Sequence, residues 1–110
     1  MLLRAGRVLD GVELARGRRG GITDDDRLAR GPGALGQALG LDGSLDGADL
    51  LSPGSPLRLS PMLERIAVPV ASGPRVGVSR AAEVPWRFWW QGESSVSAYR
   101  RSSRAPRAEQ

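Results

Sequence analysis

The pattern of apolar and polar positions in the first forty residues predicts a short strand followed by two short helices. Residues 1–8 open with apolar side chains and predict the strand. Residues 11–19 predict a helix with a basic last turn, which suits the helix dipole, and Gly20-Gly21 ends it. The apolar positions 35, 38 and 39 follow Gly31-Pro32-Gly33 and precede Gly40, the punctuation of a second helix.

The rest of the chain predicts a loop and several short strands. Residues 42–56 are rich in Gly, Asp and Pro and therefore predict a loop. Two stretches, 66–70 and 75–79, alternate between apolar and other positions. Pro69 limits the first to an edge strand or a linker, so the second is the better strand candidate. We expect a turn at 91–93. The other strand candidates are 57–59, the aromatic stretch 85–90, and 95–97.

Three adjacent carboxylates follow Thr23 and precede an apolar position. Asp24, Asp25 and Asp26 could suggest a metal site, but hard cations require ligands spread over a loop with defined geometry. Acidic residues are favoured at a helix N-cap and in the first turn, where the backbone N–H groups are free. We therefore interpret the run as a cap and predict no metal site.

The aromatic stretch 85–90 has two interpretations. Strand alternation places Trp86, Phe88 and Trp90 on one face, with Arg87 and Trp89 on the other. The first face could stack on splayed bases of a nucleic acid. The simpler interpretation is a buried core face, which we favour at this point.

Composition describes a chain with little material for a core. Gly, Pro, Ser and Gln make up 37 of the 110 residues, and Leu, Val, Ile and Phe only 25. These values lie near the border between folded and disordered chains. At this length we expect one small domain at most, with a modest core.

The charge is basic and unevenly distributed. All 16 basic residues are Arg, and the net charge is +4. Residues 1–20 and 97–110 each carry +3, whereas 41–64 carry −3. Basic ends suit a polyanion partner, but on charge alone we favour the interpretation as an ordinary solvated surface.

The missing residue types exclude several chemistries. The chain has no Cys and no His, so it cannot build a disulfide, a Cys or His metal site, or a Ser-His or Cys-His nucleophile. It has no Lys, which excludes a Schiff-base lysine. No apolar run has the length of a membrane span, and no signal-peptide core follows Met1, so we expect a cytoplasmic protein without a membrane partner.

Four ordered segments together resemble one protein family. The first is Leu2-Leu3-Arg4-Ala5 followed by Gly11, and the second runs from Asp26-Arg27-Leu28 through Gly31-Pro32-Gly33 to Gln37-Ala38-Leu39. The third is the segment 74–81, PRVGVSRA, and the fourth combines 85–88 with 95–97. This arrangement is similar to the C-terminal half of the 3-methyladenine (alkylpurine) DNA glycosylases.

The resemblance implies a fold and a reaction. The fold is α+β, a curved antiparallel sheet with short helices, which we expect to be incomplete in this chain. The family excises alkylated purines by flipping the damaged nucleotide out of the duplex. A Glu activates the attacking water and a Tyr fills the gap in the DNA. The resemblance places both, with an active-site His, upstream of the "LLRA" motif. We therefore expect this chain to lack the catalytic Glu and to be inactive alone.

The resemblance also assigns roles to residues of this chain. Arg4 and the backbone carbonyl of Val76 would help the Glu to hold the nucleophilic water, with no metal and no cofactor. Apart from the resemblance, Gly31 and Gly33 stand at a predicted helix start whose free N–H groups could contact phosphate, although a capped turn is the simpler interpretation. Arg30 and Arg80 are candidate phosphate contacts in place of basic residues of the family. Ala34 and Gly43 stand where the family often has basic residues, so some phosphate contacts of the family are lost or moved here.

The sequence thus supports three hypotheses about function. The first is a DNA repair glycosylase acting on damaged double-stranded DNA, monomeric at full length, in the bacterial cytoplasm at the nucleoid. The second is a non-enzymatic Arg-rich nucleic-acid-binding module, and the third a non-functional remnant. We expect residues 1–98 to be the C-terminal part of the glycosylase domain and 99–110 to be a disordered Arg/Ser-rich tail. Met1 stands where the family has Val, and a GTG codon encodes Val internally but Met as a start. The resemblance therefore leaves two alternatives, a start codon miscalled inside a longer gene and a real truncation or frameshift.

Overall fold

A computed structural model describes residues 1–61 and 69–105 of the chain. They form two compact units. Residues 1–61 belong to the first unit and residues 69–105 to the second. The first unit carries the helices and the second an antiparallel sheet, so the fold class is α+β, as predicted. Part of the candidate strand 66–70 lies outside the described residues.

Both predicted helices of the first unit are present. Helix α1 spans Val12–Arg18 and helix α2 spans Pro32–Ala38. Gly11 precedes α1 with a φ of 73°, a left-handed conformation that glycine adopts without strain. Pro32 stands at the first turn of α2, where its missing N–H is no loss. Glycine and proline therefore set the helix boundaries that the sequence predicts.

The acidic run caps a short helix, as predicted. Residues Asp25–Arg27 form a single 3-10 turn, and the side chain of Asp24 accepts a hydrogen bond of 3.1 Å from the backbone N–H of Asp26. Asp25 also forms an ion pair with Arg16 of α1, at 2.5 Å. The acids thus hold the connection between the two helices.

Alanines form the core between the two helices. Ala15, Ala29 and Ala38 are buried together, with Val8 and Leu35 packed against them. Leu28, just before Ala29, is fully buried. Small side chains let the helices approach closely, but they bury little apolar surface, so the hydrophobic stabilisation of this unit is small.

Arginines of the α1 C-terminus add polar contacts to this small core. Arg18 donates to the carbonyl of Ala38, at 3.1 Å. Arg19 donates through Nε to the carbonyl of Leu28, at 3.1 Å, and through Nη1 to the side chain of Gln37, at 3.0 Å. Carbonyls at a helix end have no partner within the helix, so donors from a neighbouring element satisfy them. These side chains join α1 to α2 and to the turn between them.

The predicted strand at residues 1–8 is wrong in extent. A single isolated antiparallel bridge joins Ala5 to Arg30, and the N–H of Gly6 donates to the carbonyl of Ala29, at 3.1 Å. A strand needs a neighbour along its length, and the segment 29–31 has already begun to turn into α2. Leu2 and Leu3 are exposed.

Residues 42–56 form the predicted loop, with local order of their own. A 3-10 turn spans Gly43–Leu45 and is capped by Asp42. The hydroxyl and backbone N–H of Ser44 both donate to that carboxylate, which lowers the pKa of Asp42 below its usual value. The strand predicted at 57–59 is wrong. Leu59 donates to the carbonyl of Leu50, at 2.8 Å, but this lone contact makes no ladder.

The second unit is built on a two-stranded antiparallel sheet. Strand β1 spans Val70–Gly73 and strand β2 spans Arg87–Trp90, with Val70 opposite Trp90 and Gly73 opposite Arg87. Strand β2 confirms the prediction at 85–90. The preference for 75–79 as a strand is wrong, because Val76 and Gly77 form a turn in which Gly77 has a φ of 67°. Its alternating valines mimic a strand, whereas β1 begins directly after Pro69.

The sequence after β2 is a series of turns. The predicted turn at 91–93 is present, with Gly92 at a φ of 75°. The strand predicted at 95–97 is wrong, because the carboxylate of Glu93 accepts from both the N–H and the hydroxyl of Ser95 and holds a turn there. Further on, Arg100 offers its carbonyl to the N–H of Gly77, at 2.8 Å.

Candidate nucleic-acid interface

In the first unit, the structure brings Arg4 beside the start of α2. Arg4 is half-buried and immediately precedes Ala5, whose backbone pairs with Arg30. Gly31, the next residue, has a φ of 100°, which disfavours any side chain. A Cβ built on Gly31 or Gly33 would meet no atom within 4 Å, so the backbone here faces open space. Four of the six predicted site residues therefore lie in one short region.

In the second unit, the other two predicted site residues flank a turn. Val76 is half-buried in the turn with Gly77. Arg80 is exposed, and its backbone carbonyl accepts a hydrogen bond of 2.9 Å from Nη2 of Arg75. The next residue, Ala81, has a φ of 50°, uncommon for a residue with a side chain. Arg4 and Val76 belong to different units, so their joint role in holding water stays a prediction.

The aromatic stretch does not form the buried core face that the sequence favours. Phe88 is 68% exposed and Trp86 61% exposed, whereas Arg87 and Trp89 are half-buried. Trp90, predicted on the same face as Phe88, is half-buried, so Trp86, Phe88 and Trp90 do not together form a buried face. The guanidinium of Arg87 lies 4.1 Å from the ring centroid of Trp89, and its Nε donates to the carbonyl of Pro74, at 3.0 Å.

Sequence reasoning missed the arginine–aromatic contacts of this unit. The guanidinium of Arg75 lies 5.3 Å from the ring centroid of Trp86, and that of Arg87 lies 5.7 Å from the ring of Tyr99. The face of an aromatic ring attracts cations, so these pairs are favourable. Arg87, Trp89, Glu93 and Tyr99 also line an open cleft of about 230 Å³. The alternation of Arg with aromatic residues at 86–90 was the available signal.

The acidic residues of this unit are held by neighbours. Glu83 forms an ion pair with Arg101, which raises the pKa of that arginine above its usual value. Glu93 is occupied by Ser95. In residues 69–105, six Arg stand against these two Glu. The described part of the second unit is therefore basic, with exposed aromatic rings.

The described parts of the chain contain neither a candidate metal site nor a candidate membrane-spanning helix. No group of three or more carboxylates within residues 1–61 and 69–105 could hold a metal ion. Over the same residues, no helix has the length and apolar character needed to cross a membrane.

Comparison with known proteins identifies the family. Residues 1–94 match the model of the methylpurine-DNA glycosylase family. A Nocardia farcinica protein named "Putative 3-methyladenine DNA glycosylase" is 51% identical over 108 residues, covering 98% of this chain and 51% of that protein. Proteins of the same name from Mycobacterium bovis and Mycobacterium tuberculosis are 54% identical over 106 residues, covering 96% of this chain and 51% of theirs. The chain spans about half the length of the curated relatives it matches, and it belongs to the methylpurine-DNA glycosylase family.

Proposed function

We propose that this chain contributes to a DNA glycosylase that hydrolyses the N-glycosidic bond of alkylated purines such as 3-methyladenine. The observation that carries the proposal is the match of residues 1–94 to the family, at 51–54% identity with relatives of that name. The enzyme would act on damaged double-stranded DNA as a monomer, without metal or cofactor, in the bacterial cytoplasm at the nucleoid.

Within this function, Arg4 and the carbonyl of Val76 are proposed to position the attacking water. The Ala5–Arg30 bridge next to Arg4 supports a fixed position for the backbone that carries this side chain. A guanidinium donates to the water and a carbonyl accepts from it, which orients one lone pair toward the anomeric carbon of the flipped nucleotide. A carboxylate supplied by the rest of the enzyme would take the proton. The chain by itself is proposed to be inactive.

DNA contact is proposed at Gly31, Gly33, Arg30 and Arg80. The open backbone at the two glycines would allow a phosphate to approach closely. Arg80 is exposed and can reach a phosphate without being desolvated first. Such contacts would fix the position of the duplex but would carry no information about the damaged base.

The test requires the half of the enzyme that the match leaves uncovered. We define the fusion protein as that half of the Nocardia farcinica relative joined to this chain. The two parts follow each other in the same order as the corresponding halves of the relative. The fusion protein should release 3-methyladenine from methylated duplex DNA under single-turnover conditions, and this chain alone should not. A soluble, folded fusion protein without excision activity would count against the proposal.

A second candidate function is a non-enzymatic nucleic-acid-binding module. The basic second unit with its exposed aromatic rings favours it. In this case the chain alone would bind DNA with an affinity that falls steeply with salt, because phosphate contacts release counterions. A salt-dependent titration of the chain with duplex DNA separates this candidate from a remnant that binds nothing.

A further inference from the structure

We propose that the second unit carries a stacking surface for unpaired nucleotides, formed by Trp86 and Phe88 and flanked by Arg75 and Arg80. The ligand class is single-stranded nucleic acid of any sequence. The inference rests on the nucleic-acid partner of the proposed function, and it extends the DNA contact proposed at Arg80 to two aromatic rings.

Exposure of two neighbouring aromatic rings is the first observation. Trp86 is 61% and Phe88 68% exposed, although burying such side chains is strongly favourable. Phe88 belongs to β2 and Trp86 immediately precedes that strand, so both rings stand at its start. Adjacent bases of an unpaired strand can spread beyond their duplex spacing of about 3.4 Å and so occupy two such rings. Aromatic residues exposed on a sheet bind single-stranded nucleic acids in this way.

The arginines beside these rings are the second observation. Arg75 lies 5.3 Å from the Trp86 ring centroid and donates to the carbonyl of Arg80, so one guanidinium connects the ring to the Arg80 backbone. The exposed side chain of Arg80 therefore starts close to Trp86. A base on the ring and a phosphate on Arg80 would belong to the same strand.

Charge decides between nucleic acid and a purely apolar partner. Residues 69–105 carry six Arg and two Glu. Glu83 is paired with Arg101, and Glu93 accepts hydrogen bonds from Ser95. An apolar protein surface covering the rings would have to desolvate the nearby cations, whereas a polyanion neutralises them. The combination of rings and cations is that of single-strand binding grooves.

The test uses the chain as it is, with three probes labelled for fluorescence anisotropy. These are a twelve-residue oligothymidylate, an abasic strand of the same length, and a twelve-base-pair duplex. The chain should bind the oligothymidylate at least tenfold more tightly than the abasic strand, because stacking on a ring contributes about tenfold or more per base. Bound thymine should also quench tryptophan emission.

Substitutions locate the surface. Trp86→Ala and Phe88→Ala should each weaken binding of the oligothymidylate about tenfold, with little change for the abasic strand. Trp86→Phe keeps a ring and should restore most of the affinity. Arg80→Ala should weaken both strands and lower the salt slope by about one unit. Leu51→Ala, which removes an exposed apolar side chain of the first unit, is the matched control and should change nothing.

Several outcomes would overturn the proposal. Equal affinity for the thymidylate and abasic strands would mean that phosphates alone are bound. Unchanged binding by the Trp86→Ala and Phe88→Ala variants would show that these two rings do not bind the strand. Concentration-dependent dimerisation that protects Trp86, measured by sedimentation and quenching, would assign the face to a second copy. Absence of excision by the fusion protein would leave these results unaffected, so the two proposals fail separately.

Discussion

Ala5 and Arg30 are joined by an isolated antiparallel bridge, and this pairing fixes the N-terminal segment against the start of α2. The N–H of Gly6 also donates to the carbonyl of Ala29, so two neighbouring residues hold this segment in place. Arg4 therefore lies next to Arg30 and Gly31. The roles proposed for the two arginines can be distinguished by measuring the single-turnover excision rate and the DNA affinity separately.

Arg4→Ala in the fusion protein should slow single-turnover excision roughly tenfold to a hundredfold with little loss of DNA affinity. A group that orients the attacking water acts mainly in the transition state, and positioning contributions are of this order. The matched control is Arg58→Ala, which removes the same charge just after the loop 42–56. If Arg4→Ala changes only the salt dependence of binding, Arg4 is a phosphate contact instead.

Arg30→Ala should show the opposite behaviour in the same fusion protein. A phosphate contact contributes to binding in the ground state and the transition state alike, so affinity should fall and the salt slope should shrink by about one unit. The single-turnover rate at saturating enzyme should stay within about twofold. A large fall in that rate would move Arg30 into the catalytic machinery.

Leu28→Ala should unfold the first unit of the isolated chain. Leu28 is fully buried, and removing such a side chain usually lowers the free energy of unfolding by about 2–5 kcal/mol. The alanine core beside it leaves little reserve against such a loss. Circular dichroism and amide exchange of α1 and α2 report the result. Leu51→Ala is the control, because Leu51 is exposed, and equal stability of the two variants would contradict the assigned core.

Arg19→Ala should destabilise the helix pair by about 1–2 kcal/mol. The side chain donates to the carbonyl of Leu28 and to the side chain of Gln37, and a net hydrogen bond contributes about 1 kcal/mol. Arg19→Lys should recover only part of this, because an ammonium does not reproduce the fork of a guanidinium. Urea denaturation compares the variants, with Arg58→Ala as the charge control. Full rescue by lysine would show that charge alone matters.

The isolated chain should unfold over a broad range of temperature or denaturant. The second unit has a two-stranded sheet among its described residues, and such sheets are marginally stable in water. The exposed strand edges and apolar rings leave little apolar surface buried. Tryptophan fluorescence follows this unit directly. A sharp transition with the emission of buried tryptophan in the monomer would contradict the prediction.

The sequence predicted the helices well because their limits depend on local chemistry. Gly11 and Gly20 bracket α1, and Pro32 and Gly40 bracket α2, each through a backbone preference that no distant contact has to supply. The cap at Asp24 is equally local. Such features can be predicted from neighbouring residues alone.

The strands and the exposed face depended on contacts that neighbouring residues do not specify. The segment 75–79 alternates like a strand, yet the positive φ of Gly77 turns the chain. Trp86 and Phe88 are exposed and Trp90 is half-buried, although the alternation favours one buried face for all three. The contact of Arg87 with Trp89 could not be foreseen from neighbouring residues. Of the site residues, Arg30, Gly31 and Gly33 are neighbours in the sequence, whereas the Ala5–Arg30 bridge brings Arg4 to them, which its position in the sequence did not require.

The arginines of α1 have a consequence for how the sequence can change over evolutionary time. Arg18 and Arg19 direct donors to main-chain carbonyls of Ala38 and Leu28, which every amino acid possesses. These contacts therefore survive when the partner's side chain is replaced, provided that its backbone stays in place. The arginines themselves have no equivalent substitute. The donating positions are thus restricted by the guanidinium itself, whereas Leu28 and Ala38 are restricted by their burial and not by these hydrogen bonds.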